Sequence, residues 1–137
     1  MRQRFGRQPP RHRFFLNPYT DSRFTVCPQC GRKTRSRKLP LVIHIDPRQL
    51  IALNKTCRYC AHCDLLIAHR DQLESTLAAS LSRVAVGSQE YLVLGTMDRA
   101  AWRRGTRTPP AVGDALEHVH DFAQALRFEP LPRWSKA

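Results

Sequence analysis

Apolar residues fall into two rhythms along the chain. Continuous or alternating runs predict strands: Phe24-Thr25-Val26, Leu39 to Ile45 with its β-branched second half, Leu65 to Ala68, and Glu90 to Gly95. Spacings of three and four predict helices. Leu73, Leu77, Ala78 and Leu81 mark an amphipathic helix over about His69–Arg83, and Leu116, Val119, Ala123 and Leu126 a second over Val112–Leu126, with Phe122 near its edge. Asp46-Pro47 supplies a cap and a first-turn proline for a short helix through Gln49, Leu50, Ile51 and Leu53. Thr96 caps another through Ala100, Ala101 and Trp102 to Gly105. The tail from Phe128 to Ala137, with Pro130, Pro132 and Trp134, reads as an extended strap. These elements predict a small α+β protein.

Hydrophobic residues make up 42% of the 137, enough for a core. Residues 1–13 bury little, however: they hold five arginines, Gly6, two glutamines and Pro9-Pro10, and read as a flexible arm. Phe14-Phe15-Leu16 then anchors the chain, and Asn17 to Asp21 reads as a turn. The formal charge of +12 is unevenly distributed, with +10 on residues 1–38 and +2 on the remainder. A localised basic stretch favours a polyanionic partner over a diffuse solubility charge, although arginine outnumbers lysine 19 to 4, as a biased genome composition can also produce. Neither a secretory leader nor a bilayer-spanning run is apparent. The expected setting is the reducing cytoplasm, where clustered cysteines bind metal more often than they pair.

All five cysteines lie between Cys27 and Cys63, in the stretches Cys27-Pro28-Gln29-Cys30-Gly31 and Cys57-Arg58-Tyr59-Cys60-Ala61-His62-Cys63. Each Cys-x-x-Cys step lets one turn present two thiolates to an ion, and two steps complete a tetrahedral zinc site. Cys27, Cys30 and Cys60 belong to any such set. The fourth ligand is Cys63 or Cys57. Cys63 is favoured because Asp64, like Gly31 after Cys30, tolerates left-handed backbone, and because apolar Tyr59 precedes Cys60 as Val26 precedes Cys27.

The pattern Cys-Pro-x-Cys-Gly, followed by a hairpin and a second Cys-x-x-Cys, resembles the zinc-ribbon superfamily over residues 24–68. That resemblance implies one structural Zn2+ on short antiparallel strands, with the 49–54 helix as an insertion. Three segments are expected: a basic arm at 1–22, a zinc ribbon at 23–68, and a helix–strand–helix–helix part at 69–137 sharing a core with the ribbon. Metal capture would contribute folding free energy, on the order of 10 kcal/mol in comparable modules.

Nothing in the chain suggests catalysis. An all-cysteine centre is closed and polarises water poorly. No Gly-rich phosphate loop, nucleophile elbow or His-x-Glu segment is present, and on a helix His118 and His120 would point to nearly opposite sides. The expected function is therefore non-enzymatic nucleic-acid binding, with Arg32, Lys33, Arg35, Arg37 and Lys38 of the hairpin and the arm on phosphates. Trp102 with Arg103, Arg104 and Arg107 forms a second basic cluster. The alternative is a protein–protein adaptor in which zinc only holds the fold.

Overall fold

The computed structural model describes residues 6–45, 49–81, 86–87, 89–107 and 117–128. Among them, strand dominates. In chain order the elements are β1 (Arg13–Asn17), β2 (Arg35–Ile45), β3 (Gln49–Cys60), β4 (Leu65–His69), α1 (Arg70–Ser80), β5 (Tyr91–Met97), α2 (Arg99–Arg107), β6 (Val119–Asp121) and β7 (Gln124–Leu126). The expected ribbon followed by helix–strand–helix–helix is not the fold. The chain instead forms sheet of mixed direction with little helix.

Two segments account for the difference. Gln49 to Leu53, expected as a helix, is the first half of β3. A short apolar run fits either conformation, and Ile51, Thr56 and Tyr59 favour the extended one once a neighbouring strand satisfies the backbone. The second amphipathic helix is likewise absent from its described part. Residues 117–118 turn, and β6 and β7 follow, while 112–116 lie outside the described residues, as do Asp46, Pro47 and 129–137. Val119, Phe122 and Leu126 do not share a helix face: Val119 is buried in β6, Phe122 is buried in the link after it with its N–H donating to the Leu94 carbonyl, and Leu126 ends β7.

The chain folds into two compact units. In the first, comprising residues 1–11, 38–55 and 88–123, β5 pairs antiparallel with both β2 and β6. Leu41, Val42, Ile43 and Ile45 of β2 are fully buried, and Val42 packs with Leu94 and Val119. All three residues of β6 are buried because the basic arm covers that strand. Gln8 N–H donates to the Val119 carbonyl, Arg11 N–H to the Asp121 carbonyl, and Gly6 N–H to Asp121 Oδ1 at 2.6 Å. His120 places Nδ1 2.9 Å from the Pro9 carbonyl and Nε2 3.1 Å from Asp98 Oδ1, which satisfies a buried imidazole on both sides. The described part of the arm is thus ordered chain on a sheet.

The second unit comprises residues 12–37, 56–87 and 124–137. β4 pairs antiparallel with the end of β3, and β1 runs parallel to both β4 and β7. Every residue of β4 is buried, as its continuous apolar run predicts for a strand covered on both faces. α1 follows at once, burying Leu73, Leu77 and Ala78, and a bidentate Arg23–Asp71 pair (2.9 and 3.1 Å) holds its first turn. No helix among the described residues is long and apolar enough to cross a membrane.

Gly95, like Gly6, has no room for a side chain in the first unit. It pairs with Val42 beside a bulge in the β2 register and with Asp121 of β6, and a Cβ there would fall on the His120 carbonyl oxygen. Gly95→Ala is expected to destabilise the protein by about 1–3 kcal/mol, measured by chemical denaturation. A change within a few tenths would show that β6 yields without cost.

Candidate metal centre

The first knuckle is a tight turn. Cys27 N–H donates to the Arg32 carbonyl (2.7 Å), Gly31 N–H to the Cys27 carbonyl (3.0 Å), and Gln29 N–H to Cys27 Sγ (3.4 Å). Gly31 takes φ +80°, which an L side chain would resist. The strand expected at Phe24–Val26 contracts to a single bridge between Val26 and Lys33. The second knuckle follows the last residue of β3, and Asp64 adopts φ +52° before β4 begins. Both residues singled out for left-handed backbone have it.

These turns bring Cys27, Cys30, Cys60 and Cys63 together, with all four sulfurs within 4.8 Å of one another. Cys30 Sγ lies 3.5 Å from Cys60 Sγ, and Cys27 Sγ 3.9 Å from Cys63 Sγ. Thiolates around a tetrahedral ion with bonds of about 2.3 Å stand roughly 3.8 Å apart, so the set fits a metal ion. None of the five cysteines is in a disulfide. Three of the four cluster thiols are buried and Cys30 is half-buried; Phe15, Phe24, Leu65 and Ile67 pack around the cluster.

Strand parity explains why Cys63, and not Cys57, joins the cluster. Cys57 and Cys60 both lie in β3, three residues apart, and successive side chains of a strand alternate faces. Cys60 faces the sulfur cluster, which turns Cys57 to the opposite side, buried there. Cys60 and Cys63 span a turn, where that alternation does not hold.

The free thiols differ in acidity. The Arg32 N–H bonds Cys30 and lowers it to about 7, whereas burial pushes Cys63 up to about 12, reinforced by its hydrogen bonds with Cys30 and Cys27. Burial also raises Cys27. A cation reverses this balance by favouring every thiolate.

Four residues absent from the sequence-derived set surround the second knuckle. Arg13 donates from Nε (3.0 Å) and Nη2 (2.8 Å) to the Cys63 carbonyl, and its own N–H donates to the Asp64 carbonyl. Asp64 Oδ1 accepts from the Tyr59 hydroxyl at 2.7 Å and from His12 Nδ1 at 2.6 Å. Desolvation pushes the Asp64 carboxyl up, but these two hydrogen bonds outweigh it and hold it below its ordinary value. Burial and the bond to Asp64 raise the Tyr59 phenol. The contacts of His12 and Arg13 span 50 residues or more and leave no local sequence signal; the sequence singles out Asp64 for its backbone and not for these bonds.

The basic residues expected to bind phosphate follow the first knuckle. Arg32, Lys33, Arg35 and Lys38 are exposed. Arg37 is half-buried, its guanidinium 4.7 Å from the Tyr59 ring centroid, with Arg35 at 5.9 Å on the same face. In the second basic cluster, Trp102 is half-buried and Arg103 exposed; the side chains of Arg104 and Arg107 lie outside the described set. No family model, curated protein or solved structure matches this chain.

Two outcomes are expected. Cys63→Ser abolishes stoichiometric metal binding, whereas Cys57→Ser retains it; loss of metal in the second variant would overturn the parity argument. Metal loading also releases the protons held on Cys27 and Cys63, so apparent affinity falls as pH is lowered. Calorimetry in buffers of different ionisation enthalpy reads that release directly.

Proposed function

We propose that this protein is a non-catalytic zinc protein that binds nucleic acid through the segment following its first knuckle. The zinc assignment rests on the donor set. Four soft thiolates in a closed tetrahedral arrangement leave no position for water or substrate, which suits a structural ion. A reducing, cytoplasmic setting is part of the same reading, supported by five cysteines that are all free of disulfides.

The observation that carries the nucleic-acid reading is the exposure of Arg32, Lys33 and Arg35 beside the turn that the proposed ion would close. A rigid base reduces the entropy lost when three long side chains engage phosphates. Arg37 contributes less directly, since its guanidinium lies on Tyr59.

Binding to generic DNA or RNA should be strong at low salt and weaken steeply as salt rises. Replacing Arg32, Lys33 and Arg35 by glutamine should reduce the slope of log affinity against log salt by about one for each phosphate left without its cation. No binding to either polymer at low salt would overturn this reading and favour the protein-adaptor alternative. Metal removal should lower the melting temperature. At a free metal concentration 100 times Kd the ion contributes about 2.7 kcal/mol, on the order of 10 °C for a chain of this size. An unchanged melting curve in excess chelator, or bound iron in place of zinc, would overturn the zinc assignment.

A further inference from the structure

We infer that Arg13 is the outer cation of the metal centre, positioning both knuckles and slowing loss of the ion. This rests on the cluster holding a metal, as proposed above. Arg13 opens β1 and is half-buried. On one side its Nε and Nη2 fork onto the Cys63 carbonyl. On the other, Nη1 and Nη2 face the side-chain amide of Gln29, whose oxygen accepts at 3.2 and 3.3 Å in the orientation that satisfies both partners. Gln29 lies between Cys27 and Cys30. One planar guanidinium therefore joins the tip of the first knuckle to the last ligand residue of the second.

Two physical effects follow. Four thiolates around a divalent ion carry a net double negative charge, and a guanidinium bonded to the carbonyl of a ligand residue offsets part of it. The fork also fixes the spacing of two turns that are far apart in sequence, so neither ligand pair can swing away alone. The backbone N–H of Arg13 and the imidazole of His12 seat this stretch of chain on Asp64, which pre-sets the guanidinium before any ion arrives. Arg13 contacts no sulfur in this arrangement; its action is one of position and field.

Cobalt(II) serves as the probe, on the full chain, because tetrathiolate cobalt has intense visible and charge-transfer absorption. Arg13→Gln is expected to weaken cobalt affinity 10- to 100-fold against a competing chelator and to shift the charge-transfer band at full loading. It should also speed transfer of the ion to excess chelator. Arg13→Lys keeps the charge but loses the fork, and should recover part of the affinity. Arg23→Gln removes an equal charge from the Asp71 ion pair and should leave the cobalt spectrum unchanged. Affinity and spectrum for Arg13→Gln equal to those of Arg23→Gln would overturn the inference alone. Absence of cobalt bands in the wild-type protein would overturn the metal reading and this inference with it. Should Arg13→Gln not fold, Arg13→Lys decides: an affinity and spectrum indistinguishable from wild type refute the role of the fork.

Discussion

Mutual repulsion among four thiolates is the constraint on which the second unit depends. Sulfurs within 4.8 Å of one another and mostly shielded from water cannot all ionise unaided: burial raises the Cys63 and Cys27 thiols, and only Cys30, bonded by the Arg32 N–H, is lowered. With the thiols protonated, the group is a modest apolar cluster. With a cation it becomes a cross-link between two turns 30 residues apart. The surrounding core of Phe15, Phe24, Leu65 and Ile67 shields all but the half-buried Cys30 from water in either form, so ion and hydrophobic packing would reinforce each other.

Backbone strain gathers around the same centre. His12, Phe24 and Asp64 all adopt positive φ, a conformation costing L residues roughly 1–2 kcal/mol each. Phe24 is the least expected of them. Its ring is buried edge-on against Phe15, with centroids 5.1 Å apart, and its carbonyl accepts from the Thr34 hydroxyl. His12 and Asp64 hold each other through one short hydrogen bond. Each strained residue is thus over-determined by contacts, as persistence of such geometry requires.

How much of this was legible follows from the range over which each signal acts. The cysteine spacing, the turn residues Gly31 and Asp64, the Leu39–Ile45 strand, the helix around Leu73 and Leu77 and the strand before Gly95 are local properties, and the structure contains them. The conformation of Gln49–Leu53 and of Val119–Leu126 depended on partners elsewhere. An apolar run that fits two conformations takes the one its neighbour stabilises, and the neighbours here are β5 for β6 and β1 for β7. The parallel pairing of Arg13 with Leu65 likewise has no counterpart in local periodicity, which is why the outer contacts of the metal cluster did not emerge from the sequence.

The position of Cys57 has a consequence for how the protein folds. In the unfolded chain the steps Cys57–Cys60 and Cys60–Cys63 are chelates of the same ring size, so spacing alone gives an ion captured early no reason to distinguish them. Growth of β3 through Cys60 drives Cys57 and Cys60 to opposite faces, so an ion held by that pair would have to be released or handed on before the strand could complete. Strand formation would then act as a proofreading step for ligand choice, and the rate of native folding would depend on whether metal arrives before or after β3 has formed.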